Sequence, residues 1–143
     1  NVFKYDPKTK LLVALATDME RPNGIALSPN ESHLYVSNTG DTKYIRRYEI
    51  DKNLNISKPV QFAKSDPEHV FDGFRFDARN NLWTSCGKGV ACYAPSGEQI
   101  GYIKMPELVS NIDFGGVEGN ILFITASTSL YMTNLNIKGA KYK

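Results

Sequence analysis

The sequence Asn23-Gly24-Ile25-Ala26-Leu27, which leads to Leu34-Tyr35-Val36, has two counterparts further along the chain. Each begins with a polar residue, continues into an apolar run and is followed a few residues later by a second apolar run. The counterparts are Asp72-Gly73-Phe74-Arg75-Phe76 with Leu82-Trp83-Thr84, and Ser110-Asn111-Ile112-Asp113-Phe114 with Leu122-Phe123-Ile124. Self-similarity at a period of about 40 to 50 residues indicates a repeat architecture.

Short apolar runs separated by turn residues occupy the rest of the chain. Val, Ile, Tyr and Phe cluster in runs that Pro, Gly, Asn and Asp interrupt about every 8 to 12 residues, a pattern typical of all-β proteins, and no convincing helix is found. Turn sequences such as Asp6-Pro7-Lys8-Thr9 and Pro95-Ser96-Gly97-Glu98 supply the backbone angles that tight turns need. The predicted strands lie at 2–5, 11–15, 24–27, 34–36, 45–50, 60–63, 73–76, 82–84, 90–93, 100–103, 112–114, 121–125 and 130–132.

Each complete repeat therefore holds four strands, an inner pair followed by an outer pair. Four strands in about 40 to 50 residues are typical of a β-propeller blade. We predict an all-β fold of the β-propeller type, with about three blades in this chain. A β-sandwich of short strands is the alternative, but a sandwich gives no reason for three related segments. The predicted organisation is an outer hairpin over 1–16, blades over 23–63 and 72–104, and a partial blade over 110–143.

Three blades do not close a ring, since propellers close with about 4 to 8 blades. Two sheet edges would then be exposed, and exposed edges pair with other strands. We expect either that the chain is part of a larger ring with a missing N-terminal half, or that another chain completes it. A chain on its own is expected to self-associate.

Composition excludes several classes of partner. The 143 residues suffice for one domain with a hydrophobic core. Lys and Arg number 17 against 15 Asp and Glu, a net charge of +2 that is too balanced for a nucleic-acid or anionic-membrane partner. No apolar run approaches the roughly 18 residues of a membrane span.

The two cysteines, Cys86 and Cys92, flank a Gly87-Lys88-Gly89 turn. We expect reduced, partly buried thiols rather than a disulfide, which would suggest an oxidising compartment. A cytoplasmic location is thereby slightly favoured. His33 and His69 do not combine with these cysteines at any standard zinc spacing.

The polar residues that open the three repeats are the candidate site. In an antiparallel pair, the inner strand starts where its partner ends. Asn23 should therefore lie near residues 37–39, Asp72 near 85–86, and 110–111 near 126–128, all at one mouth of the channel. Amide and carboxylate oxygens suit Ca²⁺, Mg²⁺ or Mn²⁺, although we expect a further carboxylate to complete such a site. Alternatively, Asn-Gly and Asp-Gly are common turn dipeptides with no functional role.

A family resemblance bears on that choice. Four runs carry it: Arg21 to Glu31, Phe71 to Asp77, Phe114-Gly115-Gly116 and Leu122 to Tyr131. In order and spacing these runs resemble the gluconolactonase / regucalcin (senescence marker protein) family. Each piece is weak alone, but the ordered set covers nearly the whole chain and corresponds to the C-terminal half of the family.

The resemblance implies a six-bladed propeller that binds one divalent metal ion and hydrolyses sugar-type lactones. It places metal ligands at Asn23 and Asp72, and makes Asp72 the candidate general base. Calcium is the expected ion, with zinc, manganese or magnesium as alternatives. The family's third ligand, a glutamate, and its substrate-contacting arginine and asparagine precede this region and have no counterpart here.

Asn38 and Asn111 are further candidates, as partners for the hydroxyl groups of a polyol substrate. The leading hypothesis is thus a metal-dependent lactonase with a small-molecule lactone as its partner, with activity of this segment alone in doubt. Two alternatives stay open: a non-catalytic metal- or ligand-binding propeller fragment, and a propeller of the strictosidine-synthase-like type.

Overall fold

The computed structural model describes residues 1–65 and 69–142, which form antiparallel strands and one short 3₁₀ helix at Ala140–Tyr142. All of the predicted strands are present. They are β1 (Val2–Asp6), β2 (Leu11–Ala16), β3 (Pro22–Leu27), β4 (His33–Thr39), β5 (Lys43–Glu49), β6 (Val60–Lys64), β7 (Phe71–Phe76), β8 (Leu82–Cys86), β9 (Gly89–Tyr93), β10 (Gln99–Lys104), β11 (Val109–Gly115), β12 (Ile121–Ala126) and β13 (Leu130–Asn134).

These strands form four sheets within the described residues, each in chain order. The first sheet is the hairpin β1-β2, the second is β3-β4-β5-β6, the third is β7-β8-β9-β10, and the fourth is β11-β12-β13. The first strands of the last three sheets lie side by side, with β7 in contact with both β3 and β11. Sheets that follow one another around their first strands have the arrangement of propeller blades, so the fold is a partial propeller and the sandwich alternative is wrong.

The hydrophobic core consists of layers between consecutive sheets. One layer joins the hairpin to the second sheet through residues such as Val2 and Val36. The next joins the second sheet to the third, where Tyr35 contacts the rings of Phe62 and Phe76 edge-on at centroid distances of 5.0 and 4.9 Å. The last layer joins the third sheet to the fourth. Because every layer links two sheets, each blade depends on its neighbour for burial of one face.

A buried aspartate fixes the turn between β7 and β8. Asp77 is fully buried, and its Oδ1 accepts hydrogen bonds from the backbone N–H groups of Arg79 and Asn81 at 2.8 and 2.9 Å. Its Oδ2 accepts from Asn81 Nδ2 at 2.8 Å and from the Trp83 indole at 2.9 Å. This turn holds the end of β7 opposite the one that carries Asp72.

Cys86 and Cys92 are separate, buried thiols. Burial, with a smaller contribution from the Asp77 charge, raises the pKa of Cys92 to about 12. A thiol with that pKa stays protonated at neutral pH and is a poor nucleophile.

Large apolar side chains are exposed on the first and fourth sheets, among them Leu12 and Val13 on β2 and Leu130 and Met132 on β13. Both sheets stand at the ends of the series, where a further blade would cover them. Self-association of the chain stays a prediction. No helix within the described ranges is long and apolar enough to cross a membrane.

Candidate functional site

The inner strand of each blade begins with a β-bulge. In the second sheet, Pro22 pairs with Asn38 and Ile25 pairs with Val36, so Asn23 and Gly24 together face the single residue Ser37. In the third sheet, Phe71 pairs with Cys86 and Phe74 with Thr84, so Asp72 and Gly73 face Ser85. The fourth sheet has the same shift between Val109 and Asn111. Bulges of this kind redirect side chains and are frequent next to active sites.

A hydroxyl group on the neighbouring strand supports each bulge. Ser37 Oγ accepts a hydrogen bond from the Gly24 N–H at 2.7 Å, and Ser85 Oγ accepts from the Asp72 N–H at 3.2 Å. Thr125 occupies the same place in the fourth sheet, where its Oγ1 lies 2.9 Å from Ser110 Oγ. By this correspondence Asn23, Asp72 and Ser110 are equivalent, and Asn111 takes the position of the two glycines.

Gly24 and Gly73 are strand residues rather than turn residues. Neither has a positive φ, and both lie where the next blade comes very close. A Cβ atom on Gly24 would overlap the backbone carbonyl of Asp72 and the Phe74 ring, and one on Gly73 would overlap the side chain of Asn111. The glycines therefore let three inner strands approach one another, which brings Asn23, Asp72 and Asn111 together. The turn interpretation of these two dipeptides is wrong.

Asn23 and Asp72 lie close together, since Gly24 abuts the Asp72 backbone carbonyl. Partial burial raises the pKa of Asp72, and interaction with the Asn23 side chain opposes that rise. No ion pair links Asp72 to a basic side chain in residues 1–65 and 69–142. A partly buried carboxylate without a cationic partner is well suited to hold a positively charged ligand.

The two other candidate residues differ in their surroundings. Asn38 is fully buried; its Oδ1 accepts from the Arg21 N–H at 2.9 Å and its Nδ2 donates to the Thr42 carbonyl at 2.7 Å. These bonds give Asn38 a structural role in the loop between β4 and β5. Asn111 is exposed at the mouth, and its Oδ1 accepts from the Ile112 N–H at 2.9 Å. The NH₂ group of its side chain can therefore donate to a ligand.

The residues at the mouth suit a hard cation. Asn23 offers an amide oxygen and Asp72 a carboxylate, both ligands that Ca²⁺, Mg²⁺ and Mn²⁺ accept. The described part of the chain holds no group of three or more His, Cys, Asp or Glu side chains that could bind a metal. The donor set thus fits a divalent ion that draws its remaining ligands from water or from residues outside this chain.

Two glutamates that the sequence reasoning missed hold the loops around the mouth. Glu20 precedes Asn23 by three positions, and its Oε2 accepts from the Asp41 N–H at 2.8 Å. Glu107 precedes Ser110 by the same distance and binds the loop between β12 and β13. Both glutamates lie three residues before the first polar residue of a repeat, and this shared spacing could have identified them from the sequence.

Comparison with known proteins places the chain among its relatives. Residues 1–128 match the family model described as "SMP-30/Gluconolactonase/LRE-like region". The chain belongs to this family. It is 35% identical over 136 residues to a gluconolactonase of Zymomonas mobilis, with 88% of this chain and 38% of that protein covered.

Two solved structures have the same fold. A gluconolactonase from Xanthomonas campestris is 32% identical, with a TM-score of 0.81 over 96% of this chain and 43% of that one. A calcium-binding regucalcin from Agrobacterium tumefaciens is 21% identical, with a TM-score of 0.77 over 92% of this chain and 50% of that one. The chain therefore spans half or less of the length of these relatives.

Proposed function

We propose that this chain supplies the metal-holding half of a lactonase that hydrolyses a sugar-type lactone. The observation that carries the proposal is the position of Asn23 and Asp72 at equivalent bulges of two adjacent inner strands, β3 and β7, which approach closely at Gly24. Family membership supports the lactone as substrate class, since the Zymomonas and Xanthomonas relatives are gluconolactonases.

Asn23 and Asp72 would hold the divalent ion, for which calcium is our first choice in view of the calcium-binding relative. When bound, such an ion supplies Lewis-acid stabilisation of the negative charge that develops on the lactone carbonyl oxygen. Asn23 would contribute an oxygen without adding charge.

Asp72 is the general base in this scheme. Its carboxylate takes a proton from water as the water oxygen bonds to the carbonyl carbon. The ring C–O bond then breaks, the proton passes to the leaving alkoxide, and the product is an open-chain hydroxy acid. Asn111, whose amide is exposed beside Gly73, would bind a substrate hydroxyl.

Hydrolysis of glucono-δ-lactone, measured as proton release and corrected for the spontaneous reaction, tests this function. We expect activity that EDTA removes and Ca²⁺ or Mn²⁺ restores, and a loss of at least a hundredfold in Asp72→Asn. Asp113→Asn is the matched control, because Asp113 lies toward the other end of its inner strand, paired with Arg75 at 3.3 Å. Equal loss in both variants would refute the assignment.

The alternatives predict other outcomes in the same assay. A non-catalytic binding fragment would bind ligand or metal without turnover. A strictosidine-synthase-like propeller would show activity or ligand binding that is indifferent to chelators.

A further inference from the structure

A small pocket opens beside Asp72, between the third and fourth sheets. Its volume is about 270 Å³, and its lining includes Val70, Leu108, Val109, Ser110 and Ser127 in addition to Asp72. Ligand pockets are commonly about 300 to 1,000 Å³, so this one suits only part of a small molecule.

Apart from Asp72 and the two serines, the walls of the pocket are aliphatic. Val70 and Leu108 are 37% and 57% exposed, and Val109 is buried. No lysine, arginine or histidine is among the described residues that line it. A carboxylate or phosphate group would lose its hydration against this aliphatic wall without gaining a basic side chain, whereas carbon atoms would gain apolar contact.

Ser110 gives the pocket a hydrogen-bond acceptor. Its hydroxyl donates to Thr125, at 3.2 Å to the carbonyl or 2.9 Å to Oγ1. A hydroxyl has one proton and two lone pairs, so Ser110 Oγ still accepts from a hydroxyl of a ligand. Ser127 also lines the pocket, is exposed and offers a second hydroxyl.

Glu107 makes the wall around Ser127 rigid. Its Oε2 accepts from the N–H and hydroxyl of Thr128 at 2.8 and 3.1 Å. Its Oε1 accepts from the Ser129 hydroxyl at 2.6 Å and the Tyr131 hydroxyl at 2.8 Å. The Ser127 N–H donates to the Leu108 carbonyl at 3.0 Å, which joins the residue after β12 to the residue before β11 on the fourth-sheet side of the pocket. Glu107 is thus a positioning residue for this pocket.

We propose that this pocket is a specificity subsite for an uncharged, carbon-containing ring substituent of the lactone, such as a hydroxymethyl group. This inference rests on the proposed function. The substituent carbon packs against Leu108 and Val70, and its hydroxyl donates to Ser110 Oγ.

Three lactones that differ at one ring substituent test the subsite: glucono-δ-lactone with hydroxymethyl, xylono-δ-lactone with hydrogen, and glucaro-δ-lactone with carboxylate. We expect kcat/KM to be about tenfold higher for the first than for the second, as is usual for one carbon in an apolar pocket. The carboxylate compound should be the poorest substrate.

Leu108→Ser should bring the glucono-to-xylono ratio of kcat/KM close to one. Leu130→Ser is the matched control, because Leu130 is an exposed leucine of β13 that does not line the pocket. Glu107→Gln should lower the ratio through KM for glucono-δ-lactone, with kcat for xylono-δ-lactone unchanged.

The outcomes separate this inference from the proposed function. Turnover of all three lactones with a ratio that Leu108→Ser does not change overturns the subsite and leaves the lactonase standing. If no lactone is hydrolysed, this half alone does not support turnover, and saturation-transfer NMR with the same three compounds then decides the subsite. Preferential binding of glucono-δ-lactone that Leu108→Ser removes supports it, and equal binding of all three overturns it.

Discussion

Replacement of Gly24 by alanine should destabilise the chain, because the glycine lies where two blades come very close. The added Cβ would lie 2.7 Å from two carbons of the Phe74 ring and would overlap the Asp72 carbonyl. Phe74 is only 1% exposed and Asp72 O belongs to a paired strand, so neither can move without the blade. Such overpacking costs about 1 to 3 kcal/mol. At roughly 4 °C per kcal/mol for a chain of this size, the melting temperature falls by about 4 to 12 °C.

Urea unfolding followed by the fluorescence of Trp83, the only tryptophan, measures the loss. Gly101→Ala is the control, since Gly101 is also a strand glycine but a Cβ there meets only Cys92 at an ordinary 3.6 Å. That variant should be unchanged or gain up to about 1 kcal/mol. Gly73→Ala should cost less than Gly24→Ala, because it displaces only the Asn111 side chain. Equal stability of Gly24→Ala and Gly101→Ala would refute the close-approach argument.

Two further predictions concern carboxylates that hold loops. Asp77→Ala should lower the free energy of unfolding by about 3 to 5 kcal/mol in urea titrations, because the Trp83 indole and backbone N–H groups of the turn lose their acceptor. Asp51 accepts the same kind of bonds in an exposed turn, so Asp51→Ala should lower the free energy of unfolding far less. A similar loss in the two variants would contradict this prediction. Hydrogen bonds, the largest from Ser129, lower the pKa of Glu107 to about 2. The stabilisation that the Glu107 carboxylate provides is therefore complete above about pH 4.5 and is lost as the pH falls through 2. The melting temperatures of wild type and Glu107→Gln should differ at pH 7 and converge near pH 2. A difference that stays constant with pH would show that the Glu107 charge does not cause it.

The sequence predicted the sheets well because strand signals are local. Alternation of Val, Ile, Tyr and Phe and the turn residues between them depend on neighbours in the chain, and the repeat fixed the order of strands within each blade. The ends were less accurate: β4 runs to Thr39, beyond the predicted Val36, because pairing with β5 extends it.

The site was harder to predict because it depends on contacts between blades. Asn23-Gly24 and Asp72-Gly73 read equally well as turns, and only the approach of adjacent strands shows why glycine is needed there. Asn38 and Asn111 were indistinguishable by type, yet one is fully buried on backbone partners and the other is exposed at the mouth.

The central claim is that Asn23 and Asp72 form one half of a divalent-metal site. Calorimetric titration with Ca²⁺, and with Mn²⁺ as a second probe, tests it most directly. We predict one saturable site that Asp72→Asn and Asn23→Ala each weaken at least tenfold and that Asp113→Asn leaves intact. Binding that is unaffected by Asp72→Asn, or lost equally in Asp113→Asn, would contradict the account.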